Sequence, residues 1–158
     1  MDIRIEQWPA VRVAYVRGVG PFPETLPRSW GRLTQYAREH GLEGPGRLYV
    51  TICHDNPNTT PPEKLRSDAA ISVDDDFVPD GDVQVQTMPA GTYAVARHQG
   101  PYDGLPQAWA RFCGEALGQR GLRFRPAPMF EVYRNSPCAV PPDQLLTDLF
   151  VPVEAPAQ

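Results

Sequence analysis

The sequence has little of what marks secreted and membrane proteins. It contains three cysteines among 158 residues, an odd number that argues against a disulfide framework and favours reduced thiols. No apolar run approaches the roughly 18 residues of a membrane span. The N-terminus lacks the basic and apolar regions of a secretory signal. We therefore expect a cytoplasmic protein that does not associate with membranes.

Clustered positive charge and cofactor motifs are also absent. The 15 Lys and Arg residues are scattered, and the formal net charge is −4, which argues against direct binding of nucleic acid. Cys53 and His54 are adjacent, but no second Cys/His pair completes a zinc shell. There is no glycine-rich phosphate loop and no serine nucleophile elbow. We expect neither a metal nor a cofactor.

Proline, in contrast, is abundant, with 19 residues, because many of the prolines belong to an internal sequence repeat. Prolines recur at a spacing of 79 or 80 residues, as Pro9 and Pro89, Pro21 and Pro101, Pro27 and Pro106, Pro57 and Pro137, Pro61 and Pro141, and Pro62 and Pro142. Other residues between them match at the same spacing. This self-similarity predicts a single domain, residues 1–158, built from pseudo-repeats 1–80 and 81–158.

Both repeats contain the same order of predicted elements. An alternating apolar stretch predicts a strand that breaks at Pro9 or Pro89. A Gly-Pro-aromatic turn follows, and apolar residues three and four apart then predict a helix. Two further strands complete the module. The predicted fold class is α+β, a tandem duplication of a strand-helix-strand-strand module that forms a curved, mainly antiparallel sheet with two helices on one face.

Glu131 is the leading candidate for a functional residue, because a carboxylate is unusual in a strand as apolar as residues 129–134. Strand alternation places Met129 and Tyr133 on the same side as Glu131. The equivalent residue of the first repeat is Thr51. A carboxylate among aromatic side chains can bind a cation, accept a proton or orient a water. The alternative is a Glu131 exposed on the solvated side of the sheet.

Aromatic side chains are the second candidate feature. They lie at or near elements expected to meet across the pseudo-symmetry axis, and the set includes Phe22, Trp30, Tyr93, Tyr102, Trp109 and Tyr133. Core packing or a helix-entry contact is the alternative role for these residues. His98 could pair with Glu131 as a proton shuttle, or it could be a solvated residue at a loop end.

Several motifs are specific in combination, above all His54-Asp55-Asn56-Pro57, His98-Gln99-Gly100-Pro101-Tyr102 and Phe130-Glu131-Val132-Tyr133. Together they resemble the GyrI-like small-molecule-binding domain, found in stand-alone DNA gyrase inhibitors and in effector-binding modules of AraC-type and MerR-type regulators. The resemblance implies a ligand cleft between two modules, with Glu131 at its centre. No helix-turn-helix pattern flanks the repeats, so we expect a stand-alone member.

Three functions are compatible with the resemblance. The first is binding of lipophilic, aromatic or cationic small molecules, with ligand contacts from Glu131, Tyr133, Trp109, Tyr102, Phe22, Trp30, Tyr93 and Met129. The second is hydrolysis that opens the cyclopropane ring of DNA-alkylating natural products. In that case the resemblance implies that Glu131 and Tyr133 are catalytic. The third is a partnership with DNA gyrase, as its inhibitor or as protection from a toxin.

Overall fold

A computed structural model describes residues 1–155, and the chain divides into two compact units. One unit combines Met1–Pro9 with the chain from Ala90 onward, and the other is Ala10–Pro89. We call them the Glu131 unit and the Thr51 unit after the residue that each holds at equivalent positions. The divisions fall at the matched prolines Pro9 and Pro89, where a strand cannot continue its hydrogen bonding.

The described residues form eight strands and two principal helices. In chain order these are β1 (Ile3–Trp8), β2 (Val11–Val19), α1 (Phe22–His40), β3 (Tyr49–Cys53), β4 (Arg66–Ser72), β5 (Gln84–Met88), β6 (Gly91–Gln99), α2 (Leu105–Cys113), β7 (Met129–Tyr133) and β8 (Leu146–Pro152). A π-helical turn, Gly114–Gln119, continues α2. No helix within residues 1–155 combines the length and apolar character needed to cross a membrane.

Within each unit the strands form an antiparallel four-stranded sheet. The order is β1-β6-β8-β7 in the Glu131 unit and β3-β4-β2-β5 in the Thr51 unit. The first strand of each sequence repeat therefore pairs with strands of the other repeat. The α+β class, the antiparallel pairing and the repeated order of elements confirm the fold predicted from the sequence.

One helix packs on one face of each sheet. In the Glu131 unit, Leu105, Ala108 and Phe112 of α2 bury their side chains against small and branched residues of β6 and β8. In the Thr51 unit, Leu33 and Tyr36 of α1 make the equivalent contacts with β2 and β4. Alanines on the strands allow each helix to lie close to its sheet. This packing fixes which strand residues point toward a helix, and so it decides what can surround Glu131.

The opposite face of the Glu131 sheet carries a separate aromatic cluster. Trp8, Tyr93, Phe130 and Phe150 meet there, with ring centroids 4.5–6.0 Å apart. Such contacts between rings add to the stabilisation that burial alone provides. The cluster anchors β1, the strand contributed by the other repeat, to the rest of this unit.

Candidate functional site

Glu131 lies at the centre of β7, with its side chain on the α2 side of the sheet. Its register partner on β8 is Leu149, a core residue beneath α2. Only 8% of Glu131 is exposed to solvent. The alternative of an exposed glutamate on a solvated sheet face is therefore wrong.

Both carboxylate oxygens of Glu131 accept hydrogen bonds from aromatic side chains. The indole Nε1 of Trp109 donates to Oε1 at 2.6 Å, and the hydroxyl of Tyr133 donates to Oε2 at 2.7 Å. Tyr102 packs edge-on against Tyr133, with ring centroids 5.4 Å apart. The structure thus brings together four of the residues predicted from the sequence, contributed by α2, by β7 and by the turn that precedes α2.

The surroundings of Glu131 act on its pKa in two opposite directions. Burial raises the pKa of Glu131 above its usual value, while the bonds from Trp109 and Tyr133 and the field of His98 act in the opposite direction. Burial and the nearby Glu131 carboxylate also raise the pKa of Tyr102. An approaching positive charge would favour the ionised carboxylate.

Two other buried carboxylates, Asp68 and Asp148, have the cationic partners that Glu131 lacks. Asp68 pairs with Arg17 at 2.8 Å and with His54 at 2.6 Å. Asp148 pairs with two arginines, at 2.8 and 2.7 Å. Burial acts to raise the pKa of each aspartate, but the hydrogen bonds from these partners outweigh it and hold the pKa below its usual range. In the described part of the chain, Glu131 is the buried carboxylate without an ion pair.

The Thr51 unit repeats this geometry without the charge. The indole Nε1 of Trp30 donates to Oγ1 of Thr51 at 3.0 Å, just as Trp109 donates to Glu131. Thr51 is 1% exposed. Both units therefore keep the indole donor, and only one supplies a carboxylate as its acceptor. The two units therefore differ at this position in the charge of the acceptor and not in the indole donor.

The four remaining predicted residues lie on three elements, β7, β6 and α1. Met129 borders the core beneath α2, on the same strand as Glu131. Tyr93 is not brought to Glu131, because its neighbour Ala94 faces α2 and Tyr93 therefore points into the aromatic cluster on the other sheet face. Phe22 and Trp30 belong to the Thr51 unit, where Phe22 is the first residue of α1 and Trp30 lies in its middle.

Thr147 is a neighbour of the site that the sequence did not single out. It lies opposite Tyr133 in the pairing of β7 with β8. Its hydroxyl is buried and has no hydrogen-bond partner among residues 1–155. The repeat offered the one signal in the sequence, because a small hydroxyl residue, Ser67, occupies the equivalent position. The hydroxyl of Ser67 is likewise buried with no hydrogen-bond partner among residues 1–155.

The part of the chain that the structure describes contains no group of three or more His, Cys, Asp or Glu side chains that could hold an ion. The chemistry available to the site is that of a buried carboxylate, two phenols, an indole and an imidazole.

Known proteins resemble this chain over nearly its whole length. The family model of the GyrI-like small molecule binding domain matches residues 1–154. A DNA gyrase inhibitor from Yersinia enterocolitica is 34% identical over 135 residues, which are 83% of this chain and 84% of the relative. A DNA gyrase inhibitor from Edwardsiella piscicida is 30% identical and covers 97% of this chain and 98% of its own length.

Solved structures share the fold at low sequence identity. The C-terminal domain of EcmrR has a TM-score of 0.77 at 21% identity and covers 97% of both chains. SAV2435 bound to tetraphenylphosphonium has a TM-score of 0.64 at 16% identity, over 98% of this chain and 94% of that one. A hydrolase from Listeria innocua has a TM-score of 0.67 at 13% identity, over 96% and 91%.

Proposed function

Since the chain belongs to the family of GyrI-like small-molecule-binding domains, we propose that its Glu131 site binds aromatic, lipophilic cations. One observation carries the proposal. Glu131 is a buried carboxylate whose two oxygens are held by aromatic donors, and no cationic side chain among the described residues pairs with it. A bound cation would supply the missing partner.

The chemistry of the site favours a cation with delocalised or shielded charge. A small, strongly hydrated cation such as a primary ammonium loses much of its hydration on entering a buried site, and this cost can exceed the gain from the ion pair. A lipophilic cation is weakly hydrated, so it pays less to enter. The rings of Trp109, Tyr102 and Tyr133 offer π faces that attract positive charge. The similar fold of SAV2435, solved with tetraphenylphosphonium, supports this choice of ligand class.

The decisive comparison uses two ligands of nearly equal shape and opposite charge. Isothermal titration with tetraphenylphosphonium and with tetraphenylborate separates charge recognition from apolar burial. We expect the cation to bind and the anion to bind at least about 10-fold more weakly, as a charge contact of about 1.4 kcal/mol or more requires. Equal affinity for the two ions would overturn the proposal.

Two glutamate substitutions show whether Glu131 is responsible. Glu131→Gln keeps the size of the side chain and an acceptor for Trp109 but removes the charge. We expect it to lower the affinity for the cation about 10-fold or more. Glu6→Gln is the matched control, because Glu6 also accepts an indole hydrogen bond, from Trp8 at 3.1 Å, but is partly exposed and paired with Arg4. Binding that is indifferent to Glu131→Gln would contradict the proposal.

Hydrolysis of a strained cyclopropane is the second candidate function, favoured by the raised pKa of Glu131. A carboxylate of this kind can take a proton from water while the oxygen attacks a ring carbon. The ring C–C bond breaks, its electron pair moves to the conjugated part of the substrate, and a proton is returned there. Tyr133 would orient the water or the substrate. The similar fold of the Listeria innocua hydrolase supports this candidate.

Turnover distinguishes the two candidates. Incubation with a cyclopropane-bearing alkylator would give the ring-opened, hydrated product in excess over protein if the site is catalytic. Stoichiometric binding with no product leaves binding as the function. Loss of product formation in Glu131→Gln, with Glu6→Gln active, would assign the chemistry to the site.

A partnership with DNA gyrase is the third candidate, supported by relatives that carry the name DNA gyrase inhibitor. It would require the cytoplasmic location expected from the sequence. A supercoiling assay with purified gyrase and a modest excess of this protein tests it directly. Unchanged gyrase activity, both alone and in the presence of a gyrase-directed toxin, would exclude this function.

A further inference from the structure

Besides Thr51 and Glu131, the two units differ at one strand position and at one position near the start of the helix, and these two positions face each other. Gly18 on β2 corresponds to His98 on β6, and Thr25 of α1 corresponds to Gly104 in the turn before α2. A Cβ placed on Gly18 would lie 2.8 Å from Cβ of Thr25, so no side chain fits there. A Cβ on Gly104 would lie 3.2 Å from Cε1 of His98. The volume that the helix fills in the Thr51 unit is filled by an imidazole from the strand in the Glu131 unit.

His98 is held in one orientation. Its Nε2 lies 3.1 Å from the carbonyl oxygen of Pro101. A carbonyl only accepts hydrogen bonds, so Nε2 carries a proton and donates it. In the neutral ring Nδ1 is therefore the acceptor nitrogen. No residue of the described chain hydrogen-bonds to Nδ1.

The strand register connects His98 to the Glu131 site. His98 lies opposite Thr147 across β6 and β8, and Thr147 lies opposite Tyr133 across β8 and β7. Opposed residues point to the same sheet face, so this row runs from His98 to the phenol that holds Glu131. The unit with the carboxylate is thus also the unit with an imidazole on the same face.

We propose that His98 is a second ligand-binding residue of the Glu131 site, whose Nδ1 accepts a hydrogen bond from an N–H group of the bound cation. This inference rests on the proposed cation binding and narrows it to a chemical class. Glu131 neutralises the charge, and His98 selects protonated amines over quaternary cations, which have no N–H to donate. The aromatic part of the ligand lies against the rings already described.

A matched pair of probes isolates this hydrogen bond. N,N-dimethyl-3,3-diphenylpropylamine is protonated at neutral pH and has one N–H, whereas its trimethylammonium derivative has none. Titration calorimetry of both probes gives a ratio of affinities for each protein variant. A net hydrogen bond in this setting corresponds to about 3- to 10-fold, so we expect His98→Leu to lower the ratio by that factor without changing the affinity for the quaternary probe.

Three further variants keep the test sharp. His98→Asn retains an acceptor near the place of Nδ1 and should restore the ratio. His40→Leu removes a partly exposed imidazole of the Thr51 unit and should leave the ratio unchanged. Glu131→Gln should weaken both probes by a similar factor, which separates charge recognition from the hydrogen bond. Circular dichroism of each variant checks that it is folded.

Each contrary outcome has a distinct meaning. A ratio that is the same in His98→Leu and in the unchanged protein overturns the role of His98, as does an equal weakening of both probes, which would indicate a structural role. Failure of both probes to bind the unchanged protein overturns the proposed function and this inference with it. Binding of both probes with no effect of Glu131→Gln overturns the proposed function and this inference with it, whereas weaker binding in Glu131→Gln with an unchanged ratio in His98→Leu overturns the role of His98 alone.

Discussion

The indole Nε1 of Trp109 donates a hydrogen bond to Oε1 of Glu131 at 2.6 Å. Hydrogen bonds to an ionised acceptor are short and strong, and this bond favours the charged form against the cost of burial. Trp109→Phe removes the donor and keeps an aromatic ring. We expect it to raise the pKa of Glu131 further and to lower the affinity for tetraphenylphosphonium about 3- to 10-fold at pH 7.

Trp8→Phe is the matched control for that substitution. Trp8 also donates to a glutamate, Glu6, but on the opposite face of the same sheet. Calorimetric titration of both variants is the measurement. A loss of affinity of the same size in Trp8→Phe would show that the effect comes from general packing and not from the bond to Glu131.

Removal of the Glu131 charge should stabilise the fold while it weakens binding. Burial raises the folded-state pKa of Glu131 above its unfolded value, so the group favours folding when protonated, and this contribution is lost as pH rises through the folded pKa. We expect Glu131→Gln to increase the free energy of unfolding at pH 7 by about 1 kcal/mol. Urea denaturation of both proteins measures this difference.

The same gain should disappear below about pH 4, where the carboxyl of the unchanged protein is protonated both folded and unfolded. Glu6→Gln, on the partly exposed pair, should change stability little at either pH. A gain from Glu131→Gln that is independent of pH would contradict the assignment of a raised pKa.

Asp148 should show the opposite dependence on pH. Its folded-state pKa is lowered below the unfolded value, so it stabilises the fold above the unfolded pKa of about 3.9, and this stabilisation is lost as pH falls through the folded pKa. Asp148→Asn leaves Arg97 and Arg134 without their carboxylate. Because both arginines are partly exposed, we expect a loss of about 2 kcal/mol at neutral pH.

Denaturation curves for Asp148→Asn at pH 7 and at pH 2.5 test this sign. The difference between the variant and the unchanged protein should shrink markedly at the lower pH. A difference of equal size at both values would mean that Asp148 acts through packing alone.

The buried hydroxyls of Thr147 and Ser67 should cost stability. Neither has a hydrogen-bond partner in the described chain, and a buried polar group without a partner costs about 1–3 kcal/mol. Thr147→Val replaces the hydroxyl with a methyl group of similar size, and Ser67→Ala removes it. We expect each variant to raise the melting temperature, Thr147→Val more clearly because no cavity is left. A lower melting temperature in both would show that the hydroxyls are satisfied by solvent.

The repeats made much of this fold predictable. The helix spacing identified the α2 face that carries Trp109, and strand alternation placed Tyr133 beside Glu131, so three residues of the site followed from periodicity. The contrast between Glu131 and Thr51 was visible because the second repeat provides an internal reference. The burial of Glu131 was not decidable in this way, since both faces of an amphipathic strand have the same spacing.

What escaped the sequence depends on pairing between strands. Tyr93 was expected at the site, but its sheet face is set by the register of β6 with β8, and alternation alone does not say which set of residues faces the helix. The pairing of β1 with β6 also needs tertiary information, because equivalent strands of two repeats have the same pattern. The sequence shows that Gly18 and Thr25 of one repeat correspond to His98 and Gly104 of the other. It does not show that the two residues of each unit touch, because that contact depends on how the helix packs on the sheet.

The most direct test of the account is the pKa of Glu131 with and without a bound cation. Carbon NMR of protein labelled at the glutamate carboxyl, with Glu131→Gln to assign the signal, follows its titration. We predict a pKa above the ordinary 4.3 or so of a free glutamate in the unbound protein, and a lower value at saturating tetraphenylphosphonium, because the positive charge favours the carboxylate. If tetraphenylphosphonium binds but Glu131 titrates with the same pKa in its presence and in its absence, the cation does not contact the carboxylate and the proposed site is wrong.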